Sequence, residues 1–239
     1  QDIIDEATLQ TEKGIKATEN GELLTMLIKS KNSDDLNSGQ RPIASMKLMA
    51  GNITKTMLVD DSNTISQLEA LFAGDYLLPA NVDIRVLHEK GRRELLVARS
   101  NPYIYKTDLI NNITMGCAIS PLYNLCKPED LADRLGIKVN EIDNLSSIEG
   151  LTPDELYRLG IIRALWRAPK ALIITDSLSD PESKRSILHS ELYKIATDLK
   201  IELILLTKKS SQRNELWGQE IDITAFVEHL LPEKLITSN

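Results

Sequence analysis

The sequence predicts an α/β fold in which a mixed, mainly parallel sheet with helices carries a separate helical subdomain. Two apolar runs, Ala171–Thr175 and Glu202–Thr207, have the composition of buried parallel strands, and an amphipathic helix over Glu182–Leu199 lies between them. Strand-like and helix-like segments also alternate in the first part of the chain, whereas residues 106–165 are mostly helical in pattern. An α/β core with a helical insert accounts for these observations.

The first elements are indicated by turn residues and by apolar segments. Residues 1–20 are polar and acidic without a strong period, which predicts a linker or incoming arm before a domain over 21–239. The segment Lys31–Gln40 is a loop by its Asn, Asp, Ser and Gly content, and Gly51-Asn52 predicts a hairpin turn. Strands are expected on either side of these, over Gly21–Ser30, Ser45–Met49 and Lys55–Val59.

The next elements follow from a change of period. Apolar residues recur at helical spacing from Thr64 to Ala73, and Gly74 is well placed to end that helix. Two further strands are expected over Val82–Leu87 and Glu94–Ala98, and a last helix over Ile223–Leu235.

Composition excludes several classes of function. The 239 residues are long enough to bury a sizeable core, and the net charge of −7 argues against a nucleic-acid partner, which needs clustered Lys and Arg. Cys117 and Cys126 form no CxxC pair and lie at no metal-ligand spacing from a histidine, so no metal site is predicted. No apolar run approaches the ~18–20 residues of a membrane helix, and no signal peptide is recognisable. We expect an aqueous, reducing compartment for a chain that could be part of a longer membrane protein.

Three segments, in their order along the chain, resemble the ATPase domain of exporter-type ABC transporters. Leu71–Gly74 (LFAG) resembles the end of the Walker A helix, and Arg163–Lys170 (RALWRAPK) resembles the helix and turn before the Walker B strand. Ser100–Gly116 reads SNPYIYKTDLINNITMG, where exporter domains commonly read Q-x-P-x-L-F-x-G-T-I-x-x-N-I-x-x-G. The resemblance covers residues 21–210. It implies a P-loop NTPase-like ABC ATPase core with a helical subdomain at about 106–165.

The phosphate loop implied by this resemblance is degenerate. The family motif G-x-x-G-x-G-K-[ST] lets backbone amides and a lysine approach the phosphates. Its eight positions fall on Val59, Asp60, Asp61, Ser62, Asn63, Thr64, Ile65 and Ser66. The glycines and the lysine are replaced, and only Ser66 remains. Asp60 and Asp61 oppose phosphate binding, and one lost charge-assisted contact alone costs about 1.5–3 kcal/mol. Thr64 to Gln67 fits a capping box, so we expect Thr64 to cap the helix.

The other ATPase motifs are altered as well. The Q-loop glutamine falls on Ser100 and the switch histidine on Lys208. The Walker B Asp-Glu pair falls on Thr175 and Asp176, or on Asp176 and Ser177 if the alignment shifts by one residue. The signature LSGGQ falls on Leu151, Thr152, Pro153, Asp154 and Glu155. Proline removes an amide there and the acids add negative charge, although the segment is an excellent helix start.

These losses imply that no residue is catalytic and that no nucleotide or metal is bound. By resemblance, Tyr103, Ile104 and Tyr105 lie where a membrane domain docks, although they could equally be core residues under a loop. The expected partner is the membrane domain of an ABC-type transporter, in the same chain or a separate one, or another ABC ATPase domain. The chain would then lie on the cytoplasmic side of the inner or plasma membrane, tethered through its parent protein.

Three functions stay open on the sequence alone. The leading one is a scaffold or regulatory module of a membrane export or transport system. The second is a weakly active ATPase domain, or one that binds ATP and Mg²⁺ in a composite site to which it contributes Asp176. The third is an unrelated α/β binding domain whose resemblance is accidental.

Overall fold

The computed structural model describes twelve segments of the chain, namely residues 16–17, 21–28, 44–75, 78, 81–89, 92–115, 120–122, 125–138, 150–176, 182–211, 215–224 and 226–227. The predicted loop at 31–40 lies outside these residues, as does most of the predicted C-terminal helix. In the described part of the chain, no helix combines the length and apolarity that crossing a membrane requires.

Strands predominate in the first part of the chain, three helices follow one another in the middle, and helices and strands alternate from residue 153 to residue 208. The strands are β1 Lys16–Ala17, β2 Glu22–Ile28, β3 Ala44–Met49, β4 Thr54–Val59, β5 Val82–Val86, β6 His88–Glu89, β7 Arg92–Arg93, β8 Leu95–Val97, β9 Ala171–Thr175, β10 Glu202–Lys208 and β11 Gln219–Asp222. The helices are α1 Ser62–Ala73, α2 Leu109–Thr114, α3 Pro128–Arg134, α4 Pro153–Trp166 and α5 Glu182–Leu199.

The central sheet has five parallel strands in the order β11-β4-β10-β9-β8. A second sheet has the order β1-β5-β2-β3, with antiparallel pairs on both sides of β2. These two sheets and the helices confirm the predicted α/β class. Lys16–Ala17 pairs with β5, so the second sheet already begins within the predicted arm.

The predicted hairpin at Gly51-Asn52 is wrong, because β3 and β4 belong to different sheets. All six residues of β4 are buried, as expected for a strand inside a parallel sheet that is covered on both faces. Exposed and buried residues alternate along most of β3, which is typical of a half-solvated antiparallel strand. The difference in burial is not visible in the residue types, since Thr54, Lys55 and Thr56 of β4 are polar and buried.

Two apolar layers cover the central sheet. One layer joins Ile173 and Ile204 to helix α1 and to the second sheet. The other joins Leu172 and Leu205 to helices α4 and α5. Because successive side chains of a strand point to opposite faces, the alternate residues of β9 and β10 supply both layers.

At Gly160, helix α4 lies against the backbone that follows β8. A Cβ atom there would lie 2.1 Å from the backbone carbonyl oxygen of Arg99, just after β8. Backbone atoms on both sides fix this contact, so only glycine fits. Gly160 therefore sets how closely α4 packs on the backbone after β8.

We expect Gly160→Ala to destabilise the domain by about 3 kcal/mol or more, since overpacking against a backbone atom cannot be relieved by a rotamer change. Urea unfolding followed by circular dichroism measures this change. Thr197→Ala on the exposed face of α5 is the control, and we expect it to change stability by less than about 0.5 kcal/mol. An unchanged or raised midpoint for Gly160→Ala would show that α4 does not pack so closely.

Candidate functional site

The carboxyl ends of the five parallel strands meet at one edge of the central sheet, which is where α/β folds bind their ligands. The connection from β4 to α1 lies at this edge and contains two residues, Asp60 and Asp61. Of the eight positions assigned to the phosphate loop, Val59 therefore lies in β4, and Ser62 to Ser66 lie in α1.

Asp61 caps helix α1. Its backbone is extended, its Oδ1 accepts a hydrogen bond from the Thr64 amide at 2.9 Å, and its Oδ2 accepts one from the Thr64 hydroxyl at 2.6 Å. These bonds, first the one from the hydroxyl, lower the pKa of the Asp61 carboxyl. The predicted cap at Thr64 is wrong. The helix begins two residues earlier, so Thr64 is its third residue, and Asp is in any case the stronger capping residue.

Asp60 takes part in a separate ion cluster at the same edge. Lys209, just after β10, lies 3.1 Å from its carboxylate and 2.9 Å from that of Asp222 at the end of β11. The hydrogen bond from Lys209 lowers the pKa of Asp222 to about 2, and the reciprocal bond raises the pKa of Lys209. The cluster is solvent-exposed, so it contributes little to the free energy of unfolding.

Glu69 joins two motif positions that lie far apart in the sequence. From helix α1, its carboxylate accepts hydrogen bonds from the amide and hydroxyl of Ser100, at 2.8 and 3.0 Å, and from the Thr175 hydroxyl at 3.3 Å. Burial raises the pKa of Glu69 in spite of these bonds. One carboxylate of the chain itself thus bonds the residues that the resemblance assigns to the Q-loop and to the Walker B strand.

The sequence contains a signal for Glu69 that the motif alignment passes over. Glu69 lies four residues after Ile65 and three before Phe72, so a charged residue occupies the apolar stripe of α1. Buried Tyr157 of α4, also missed, donates a hydrogen bond to the Thr175 carbonyl. Together the two side chains tie α1, α4 and β9 to one another.

The remaining motif positions lie at or beside the ends of strands and helices. Asp176 follows β9 and accepts a hydrogen bond from the Thr207 hydroxyl at 2.9 Å, and Lys208 is the last residue of β10. Thr152 caps α4 in a full capping box with Glu155, with Pro153 as the first helical residue, which confirms the predicted helix start. Within the described residues, no three His, Cys, Asp or Glu side chains converge in a way that could hold a metal ion.

Tyr103 and Tyr105 lie on the surface beyond β8. Their side chains are 72% and 43% exposed, and their rings contact edge to face with centroids 4.8 Å apart. Ile104 between them is half-buried and packs against the core. The amide of the fully buried Asn112 bonds the backbone of Tyr105 and of Thr107, which holds the loop in place. Tyr103 and Tyr105 therefore form an exposed aromatic surface on a loop that Asn112 holds in place. We call it the tyrosine surface.

We expect Glu69→Gln to stabilise the domain at neutral pH and to lose this advantage near pH 4. A raised folded-state pKa means that the folded protein holds the Glu69 proton more tightly, so wild-type stability falls as pH rises from the unfolded-state pKa to the folded one. Glutamine cannot ionise, its single oxygen can still accept from the Ser100 amide and hydroxyl, and its NH2 group would donate to the Thr175 hydroxyl instead of accepting from it. Urea unfolding between pH 4 and pH 8 tests this.

Glu191→Gln is the control of opposite sign for that series. The Lys194 ammonium lowers the pKa of Glu191, so its ionised form contributes stability above its unfolded-state pKa, and that contribution is lost as pH falls. We expect Glu191→Gln to lose a little stability at neutral pH. A Glu69→Gln variant that behaved like Glu191→Gln would contradict the raised pKa of Glu69.

Comparison with known proteins places this geometry in a known fold. No protein-family model and no curated protein sequence matches the chain. Among solved structures, the chain is similar to an ABC transporter of the metal-chelate type in an inward-facing conformation, with 12% identity and a TM-score of 0.52 over 79% of this chain and 73% of the other.

A bacterial Atm1-family ABC exporter with ATP bound is also similar, with 16% identity and a TM-score of 0.53 over 80% of this chain. The match spans 36% of that exporter chain, so this protein corresponds to about a third of its length. Likeness at such identities concerns the fold alone. The parallel sheet, the helices and these two structures together confirm the predicted P-loop NTPase-like, ABC-related α/β fold.

Proposed function

We propose that this chain is a degenerate ABC ATPase-like domain that neither binds nor hydrolyses ATP and acts as a scaffold or regulatory module of a membrane transport system. The observation that carries the proposal is the start of helix α1. The Asp61 carboxylate accepts the hydrogen bond of the Thr64 amide, at the place where a P-loop fold presents free amides to phosphate.

The connection between β4 and α1 opposes a nucleotide in two ways. Six of the eight positions assigned to the family motif lie in β4 and α1, so only two residues are left to arch around a phosphate, and both of them are acidic. A phosphate would have to displace the Asp61 carboxylate from Thr64 and then lie beside it. Negative charge is favoured at a helix N-terminus, and two negative charges repel each other. The Asp61 carboxylate therefore competes with any external anion for this place.

The interior of the site supports the same proposal. Glu69 already satisfies the Ser100 amide and hydroxyl and the Thr175 hydroxyl, which are the positions where the resemblance implies Mg²⁺ and water contacts. A carboxylate of the chain thus links α1 to β9 without a ligand. The fold keeps its conformation at this edge by contacts that need no ATP.

A module without ATP chemistry acts through its surfaces, and the tyrosine surface is the best candidate. Two exposed aromatic rings held by a fixed loop provide contact area with little conformational entropy to lose on binding. We propose that the membrane domain of the transport system, in the same chain or another, contacts Tyr103 and Tyr105. The chain would then lie on the cytoplasmic side of the membrane.

The alternative is a composite site in which a competent partner domain holds ATP and Mg²⁺ and this chain lends Asp176. Its half-buried carboxylate does lie at the end of β9, where the family holds its metal. Its engagement with Thr207 and the absence of a second acid at the Walker B position favour the first proposal.

Titration of the purified domain with MgATP to millimolar concentration tests the loss of nucleotide binding. We expect no heat in calorimetry and no change in the thermal unfolding midpoint, because a ligand stabilises only the state that binds it. An active ABC ATPase domain under the same conditions is the positive control. A midpoint that rises steadily with MgATP would restore the composite-site alternative.

Co-purification from detergent-solubilised native membranes tests the docking surface. We expect Tyr103→Asp and Tyr105→Asp, singly and together, to reduce recovery of the membrane partner at least about tenfold, since each places a charge in an aromatic contact. Ile187→Asp is the matched control, because Ile187 is 66% exposed on α5 and lies outside the tyrosine surface. Equal recovery with all the variants would argue against docking at this surface.

A further inference from the structure

A cavity of about 320 Å³ opens beside the tyrosine surface, between the end of β8 and helix α4. Among the described residues that line it, every charged side chain is an arginine: Arg93, Arg99, Arg163 and Arg167. The chain as a whole has a net charge of −7, so a cavity lined by four arginines differs in charge from the rest of the chain. We call this cavity the arginine pocket.

Arg163 is the central cation of the arginine pocket. Its guanidinium donates to the carbonyl oxygens of Asn112 and Tyr103 and to the side-chain oxygen of Asn112, at 2.5 to 2.6 Å. It also lies 5.9 Å from the centre of the Tyr105 ring. All these partners are neutral, and no carboxylate of the described chain pairs with Arg163. Burial lowers the pKa of Arg163 to about 10, which still leaves the group protonated at neutral pH.

Among the neighbouring arginines, Arg167 acts on the charge of Arg163, whereas the charge of Arg99 is compensated by a carboxylate. Arg167 lies one helical turn after Arg163 and lowers the pKa of Arg163 by repulsion. Arg99 forms a bidentate pair with Asp75 at 2.7 and 2.9 Å, and Asp75 lies outside the lining of the pocket. No Asp or Glu is among the described lining residues, and the described hydrogen-bond partners of Arg163 are all neutral, so Arg163 is the cation that a ligand could pair with.

We propose that the arginine pocket receives an acidic side chain of the docking partner, a Glu or Asp with apolar neighbours. This inference rests on the proposed docking function and adds the chemistry of the partner. A carboxylate entering the pocket would form charge-assisted hydrogen bonds with guanidinium groups, which are shorter and stronger than bonds between neutral groups. Tyr103 and Tyr105 at the rim would cover its apolar neighbours and exclude water.

A peptide carboxylate fits these observations better than a free anion or a lipid headgroup. A free anion would leave the paired tyrosines of the rim without a role. A membrane surface is bound by exposed basic patches, whereas Arg93 is 4% exposed and Arg163 is half-buried. A single side chain on a protein segment can reach inward while its neighbours contact the rim.

Selection from a phage-displayed library of random twelve-residue peptides tests this inference even while the natural partner is unidentified. The full chain is the bait, and Arg167→Gln is used for counter-selection. We expect the recovered peptides to share a Glu or Asp beside apolar residues. In solution, replacing that acid by Gln or Asn should weaken binding at least about tenfold, the effect of losing one charge-assisted bond. Binding should also weaken as salt is raised.

Three variants make the selection specific. Arg163→Lys keeps the charge but loses the planar fork, so we expect weaker binding of the acidic peptides. Tyr103→Ala should weaken binding by removing the rim. Arg134→Gln is the matched control, because this half-exposed arginine lies on α3 near Glu191 and outside the pocket lining, and we expect unchanged binding. Circular dichroism of each variant verifies that the domain remains folded.

Several outcomes of the selection would contradict the inference that an acidic side chain enters the arginine pocket. Recovery of neutral peptides, equal binding of the Glu and Gln versions, or no enrichment over Arg167→Gln would overturn the inference. Displacement of the peptides by inorganic phosphate or free glutamate at equal concentration would identify a small-anion site instead. Binding to anionic phosphatidylserine vesicles in place of the peptides would identify a membrane surface. The selection contains no nucleotide, so its result is independent of the MgATP titration that tests the proposed function.

Discussion

The hydrogen bond from the Thr64 amide to the Asp61 carboxylate is the contact on which the rest of the site depends. The first amides of a helix have no partner inside the helix, and in a P-loop fold a phosphate can satisfy them. Here the chain supplies its own anion at 2.9 Å. Beside this cap, Asp60, Lys209 and Asp222 form an ion cluster at the same edge of the sheet.

A second carboxylate of the chain, that of Glu69, accepts hydrogen bonds deeper in the site. Glu69 holds Ser100 and Thr175 together, and Tyr157 fixes helix α4 against the end of β9. Gly160 lets α4 come into contact with the backbone after β8. Helices α1 and α4 and strand β9 are therefore held together by contacts within the protein. Gly160 and Arg99 also line the arginine pocket.

Much of the fold could be predicted from the sequence, because long periodic segments and fully apolar runs are strong signals. Strand β9 and helix α5 have the predicted bounds, and Gly74 ends α1 in a left-handed conformation as expected. Pairing between strands is a long-range property, and for this reason the turn residues Gly51-Asn52 wrongly indicate a hairpin. The predicted cap of α1 is misplaced because the family motif suggests a longer loop than the chain has. Glu69 escapes prediction because its partners are distant in sequence.

Amide hydrogen exchange at Thr64 tests the central claim most directly, in the wild type and in Asp61→Ala, each with and without millimolar MgATP. If the carboxylate of Asp61 has the role that we assign to it, Thr64 exchanges slowly in the wild type, exchanges faster in Asp61→Ala, and responds to MgATP in neither. Additional protection of the Thr64 amide by MgATP in the wild type would contradict this account, because it would place a nucleotide at the start of α1.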